Sequence, residues 1–206
     1  MTRVSAMTDE SRVPVSLSLD AWLDRLSQRG GEPGGGAASG VMLAIGAALL
    51  HMVAAYTPDD ERAQESGRQA VEFRVEALRA AEEDGVRSAA LAAEPSPERD
   101  SRIVDTGTAG AESSAALVGI GAALAAELRV LADRGNPHLI ADVAVAAEAI
   151  GAGLGGALTN LRSCLALTRR HLPAGTGLSA HFDYALGEGS AARTDVAFLT
   201  RAVERR

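Results

Sequence analysis

Glu32-Pro33-Gly34-Gly35-Gly36-Ala37-Ala38-Ser39-Gly40 opens the stretch whose reading decides the fold, because the 20 residues from Ala37 to Tyr56 carry no formal charge. As a helix that run is ~30 Å long, enough to cross a bilayer or to be buried along its whole length in a helical bundle. Its flanks are acidic, with Glu32 before it and Asp59, Asp60 and Glu61 after it, and it is dominated by Ala and Gly rather than by Leu, Ile or Phe. Those features favour a helix buried among other helices over a membrane span.

Working outward, Ser18 is placed to cap a short first helix in which Leu19, Trp22, Leu23 and Leu26 share one face up to Gly30-Gly31. After the uncharged helix, Asp59, Asp60 and Glu61 favour the positive end of a third helix running to about Ala93. Ser96-Pro97-Glu98 starts a fourth that reaches Ala132, with a kink expected over Thr106 to Gly110. Gly135 ends it, Asn136 caps the next and Pro137 takes its first turn. This fifth helix continues to about His171, before Pro173, Gly175 and Gly177, and a last one is expected from Ser190 to about Glu204. No strand-like alternation or repeat appears. The fold class is therefore all-α, an up-and-down bundle with long Ala- and Gly-rich buried helices. Residues 1–15 are expected to be a disordered tail, 16–172 one helical domain, and 173–206 a loop and helix packing on the bundle.

The chain has 206 residues and a net charge of −7, which argues against binding a phosphate backbone, so nucleic acid is not an expected partner. All 20 cationic side chains are arginines, which excludes a Walker lysine and lysine Schiff-base chemistry. The single Cys164 forms no internal bridge and suits a reducing cytoplasm. His51, His138, His171 and His181 lack metal-ligand spacing, so no metal is expected. His51 falls in the buried helix and is expected in the core or at an interface, while Glu82-Glu83-Asp84 is expected on a solvated face.

Two places carry candidate chemistry. Gly34, Gly35 and Gly36 follow a helix rather than a strand and lack a phosphate-loop ending; they offer bare backbone N–H groups to a ligand, or serve simply as a flexible connection. Asp142 lies early in the fifth helix, on one lane with Ala146, Ala149, Gly153, Gly156 and Asn160. Asp142 and Asn160 are ~27 Å apart along that axis. Either they grip two ends of a long ligand, or one is structural, or they serve sites completed by different subunits. A helix-end carboxylate paired with an arginine is the plain alternative for Asp142.

The glycine stretch and Asp133-Arg134-Gly135-Asn136-Pro137-His138-Leu139-Ile140-Ala141-Asp142 together resemble the two signature segments of the formiminotransferase-cyclodeaminase C-terminal family, from about Ser16 to Leu167. The resemblance implies an all-helical homodimer that acts on one-carbon tetrahydrofolate derivatives with no bound cofactor. Its two reactions are 5-formiminotetrahydrofolate cyclodeamination and 5,10-methenyltetrahydrofolate cyclohydrolysis. It also implies Asp142 as proton carrier or pterin anchor, and Gly34, Gly35, Gly36, Asn136, Asn160 and Arg162 as substrate-binding residues. Ala37 and Ala141 stand where the family has hydroxyls, and Cys164 stands where it has a second asparagine. A non-catalytic folate binder or a structural dimer of the same fold is thus the alternative expectation. The apolar content of 47% and the greasy helix faces independently suggest a homodimer.

Overall fold

The structure, a computed structural model, describes residues 17–29, 33–92, 99–173 and 175–203, without the side chains of 85–92 and 99–102. Among these residues it contains α1 (Leu19–Leu26), α2 (Gly35–Ala55), α3 (Glu61–Ala92), α4 (Arg99–Arg134), α5 (Ile140–His171) and α6 (Ala180–Val203), with a 3-10 turn at Pro137–Leu139 and no strand. The tail at 1–15 and the expected cap at Ser96-Pro97-Glu98 lie outside them.

Local chemistry sets the ends. Ser18 Oγ accepts the N–H of Ala21 at 3.3 Å and starts α1. Asp60 Oδ1 accepts the N–H of Ala63 at 2.8 Å and starts α3. Asn136 Oδ1 accepts the N–H of His138 at 3.0 Å, closing the turn that leads into α5. Gly175, at φ +87°, makes the left-handed turn between α5 and α6 that a side chain would disfavour.

The long helices run up and down. Small residues let them approach: a Cβ on Gly40 of α2 would come within 2.7 Å of the Ala77 carbonyl of α3, and one on Gly46 within 2.6 Å of Ile150 of α5. Between these contacts the core fills with Leu43, Leu50, Leu124, Leu128, Ile150, Leu154, Leu158 and Leu161, all essentially inaccessible. Packing of that density, rather than helix propensity in so glycine-rich a sequence, holds the bundle together. Trp22 of α1 forms a separate small cluster with Ala37 and Ala81 at the glycine end of α2. By length and composition α2 and the stretches Ile103–Arg134 and Pro137–His171 could each cross a membrane; 56% of the apolar window of α2 is buried against the rest of the bundle.

Helix α4 is continuous through Thr106 to Gly110. The glycines there are contact points, Gly107 against Thr168 and Gly110 against Cys164, both on α5. Helix α6 begins at Ala180, ten residues before the expected Ser190, because Gly189 is a packing position against Val118 and Leu158 and not a break. Gly135 does end α4, but with negative φ; its missing Cβ makes room for the Leu131 carbonyl and Val53. His51 is exposed, with Nδ1 3.2 Å from the Gly67 carbonyl oxygen, and is not a core residue. Asp84, expected on a solvated face, is only 9% exposed.

Candidate functional site

Helix α2 starts at glycines and so has no side chain of its own to cap it. The acceptor comes from α3: Asp84 Oδ2 takes the N–H of Ala37 at 3.1 Å in a buried contact. Gly36 faces this carboxylate so closely that a Cβ there would overlap it. A negative charge at this position also meets the positive end of the α2 dipole. One side of the glycine turn is therefore sealed by Asp84. This residue was missed in the sequence, where it is the last member of an acidic run; the usable signal was an uncapped glycine helix start, which requires a partner from elsewhere.

The other side is open. Gly35, Ser39 and Met42 of α2 face Gly155, Gly156 and Asn160 of α5 across a groove of about 500 Å³, and Arg193 of α6 closes one edge. Ser39 Oγ donates to the Gly35 carbonyl at 2.8 Å, and the residue is fully buried. The space Gly156 leaves is filled by Ser39, and Gly155 carries the Arg193 guanidinium, about 3.3 Å from where its Cβ would stand. No hydrogen bond holds the Asn160 amide among the described residues, so it offers both a donor and an acceptor. The groove thus combines a flat small-residue floor, one free amide and one guanidinium, which suits a planar polar ring that carries an anion.

The structure brings Gly35 and Asn160 together, seals Gly36 against Asp84, and places Gly34 as the residue before α2. Arg162 lies two residues beyond Asn160 along α5, about 200° around the helix axis, and donates to Ser190 Oγ at 3.4 Å. The remaining candidates sit elsewhere. Because α2 and α5 are antiparallel, Asn136 is at the far end of α2: its Nδ2 donates to the Tyr56 carbonyl at 3.2 Å and its backbone N–H to Thr57 Oγ1 at 2.9 Å. With Oδ1 on His138, its amide is engaged in joining α5 to the end of α2. Asp142 is half-buried near that same end, and no arginine pairs with it among the described residues. Within one chain, Asp142 and the glycine groove are separate.

Cys164 of α5 is half-buried; burial pushes its thiol pKa up, and the negative charge of Asp84 adds to the effect. Among the described residues, no group of three or more His, Cys, Asp and Glu is placed to hold a metal ion.

A family model described as formiminotransferase-cyclodeaminase matches residues 18–168. No curated protein matches the sequence. The fold is similar to the crystal structure of formiminotetrahydrofolate cyclodeaminase from Thermotoga maritima, with a TM-score of 0.72 over 92% of this chain and 95% of that one, at 21% identity.

Proposed function

The chain belongs to the formiminotransferase-cyclodeaminase family, and from that premise we propose that it converts 5-formiminotetrahydrofolate to 5,10-methenyltetrahydrofolate and ammonia. The observation that carries this reading is the groove where the glycine start of α2 meets Gly155, Gly156 and Asn160 of α5. Its flat floor accepts a pterin, and the Asn160 amide matches the alternating donors and acceptors of an amino-pyrimidinone edge.

In the reaction, the anilinic nitrogen attacks the carbon of the protonated formimino group. A C–N bond forms, one proton moves from the attacking nitrogen to the former imino nitrogen, and ammonia leaves with its bonding pair. The product is a cationic methenyl bridge. A positioned carboxylate can carry that proton and stabilise the cation. Asp84 is engaged beneath the glycine turn, so the carrier assigned here is Asp142, supplied by a second subunit. Ile45 and Val145 stand 50% and 57% exposed on α2 and α5, the apolar surface that a homodimer would cover. A two-fold axis perpendicular to the antiparallel pair sets the Asp142 end of one subunit against the glycine end of the other.

The test is to supply 5-formiminotetrahydrofolate and follow the near-ultraviolet absorbance of the methenyl product together with released ammonia. Both should rise together. Hydrolysis of added methenyltetrahydrofolate without any cyclodeamination would instead favour the cyclohydrolase reading. A raised Tm with folate but no turnover of either substrate would identify a non-catalytic binder.

A further inference from the structure

Helix α1 is eight residues long, too short to persist in water on its own hydrogen bonds, so something else must hold it. Its apolar residues fall in two adjacent rows, Trp22 with Leu26 and Leu19 with Leu23. Only the first row is used. Trp22 is 5% exposed and packs with Ala37 of α2 and Ala81 of α3, with Leu26, Ala38 and Val41 around it, whereas Leu19 and Leu23 are 68% and 49% exposed. Among the described residues, every hydrogen bond made by residues 17–29 stays within that segment, including Ser27 Oγ donating to the Asp24 carbonyl at 2.8 Å. A single apolar contact centred on Trp22 therefore fastens α1 to the bundle.

That contact falls at the edge of the ring groove. Ala37 is the residue whose N–H Asp84 accepts, and the next residue, Ala38, both borders Trp22 and lines the groove. Trp22 and a ring in the groove would thus lie against neighbouring sides of the same turn of α2. The groove itself is lined by α2, α5 and α6 alone. A flat ring on that floor keeps its other face in water, which weakens every electrostatic contact made to it. Helix α1 carries an uncovered apolar row at this same end of α2.

We infer that α1 is a strap: pivoting on Trp22, it closes over a ring bound in the glycine groove and lays Leu19 and Leu23 on it. The inference rests on the folate reading above, and it adds a moving roof that the bound ring itself draws shut.

The experiment is hydrogen exchange of the full chain, read by mass spectrometry across Leu19–Leu26, with and without 5-formyltetrahydrofolate, which has oxygen in place of the leaving nitrogen. Isothermal titration of the same probe is run on the parent, on Trp22→Ala and on a double variant, Leu19→Ser with Leu23→Ser. Trp22 lies outside the main core cluster and the two leucines are exposed, so the bundle keeps its core; circular dichroism, Tm and light scattering check fold and oligomeric state. The expected result is exchange in α1 slowed ~10-fold or more by the probe. Both variants should bind it ~5–10-fold more weakly, the scale of part of a leucine side chain taken out of water. Binding that leaves exchange in α1 unchanged overturns the strap and leaves the folate reading standing. Slowed exchange with full affinity in the double variant overturns the placing of Leu19 and Leu23 on the ring. Weaker binding that comes with a changed oligomeric state puts those leucines at a subunit contact and overturns the strap. No binding of the probe by the parent overturns both the strap and the folate reading.

Discussion

The Asp84 carboxylate and the Ala37 backbone N–H, 47 residues apart in the chain, meet at 3.1 Å and fix where α2 begins. Everything on the groove side depends on that anchor, since Gly35, Ser39 and Met42 follow from the same helix start. The arrangement explains Gly36, whose face needs room for the carboxylate.

The first expected outcome separates Gly36 from Gly35. Gly36→Ala puts a methyl group into the Asp84 carboxyl, whereas the Cβ of Gly35→Ala finds ordinary contact with Asn160 at 3.5 Å. Overpacking of this kind costs ~1–3 kcal/mol, while Gly to Ala in an accommodating helix position is neutral or slightly stabilising. Urea unfolding of the two variants should give a clear loss for Gly36→Ala only; equal effects would mean that Asp84 does not press on the turn.

Asp84→Ala should destabilise the fold by ~1–3 kcal/mol, because the buried N–H of Ala37 loses its acceptor. Asp84→Asn keeps an oxygen there and should cost less. The asparagine variant has a second readout in Cys164, whose thiol is held above its usual pKa first by burial and then by the Asp84 charge. Removing that charge eases thiolate formation, so the pH midpoint of alkylation should move down. An unmoved midpoint would argue that Asp84 is not ionised in the native protein.

Asp60 provides the pH dependence. Its carboxyl is held below the ordinary aspartate range, first by the Ala63 N–H and also by Arg134. A depressed folded pKa contributes stability that is fully present above the unfolded value and is lost as pH falls through the folded one. The Tm difference between the parent and Asp60→Ala should therefore be constant near neutrality and close in acid, below about pH 4. A gap that stays constant into strong acid would assign the effect to packing alone.

How much of this was legible in the sequence depended on how local each signal was. Ser18 and Asn136 cap as their residue types and positions suggest, and the uncharged run after Gly36 is a buried helix. The glycines misled wherever their purpose was tertiary. Gly107, Gly110 and Gly189 weaken a helix in isolation, but here each meets a residue on another helix, and the packing outweighs a propensity cost of ~1 kcal/mol apiece. Asp84 was hidden for the same reason. Beside Glu82 and Glu83 it resembles solvated surface, and only the approach of α2 gives it a partner. Asn160 and Gly35 were both visible as candidates, but their meeting required the antiparallel order of α2 and α5.

The sharpest expected outcome concerns Asp142 and Asn160, which one subunit keeps at opposite ends of its α2–α5 pair. Asp142→Asn leaves the Asn136 cap and its apolar neighbours in place, so Tm should stay within a few degrees, while turnover should fall ~10²-fold, the low end for a general acid–base residue. Asn160→Ala should cost ~10-fold or more through lost ring contacts. If each site takes Asp142 from one subunit and Asn160 from the other, mixing the two variants after dissociation gives heterodimers with one intact site and one doubly defective site. Random pairing makes half the dimers mixed, so about a quarter of the parent activity should return. If both residues served a site within a single chain, every site in the mixture would carry a defect and nothing would be regained. Full activity in Asp142→Asn alone would instead remove it as the proton carrier and leave it a carboxylate near the start of α5.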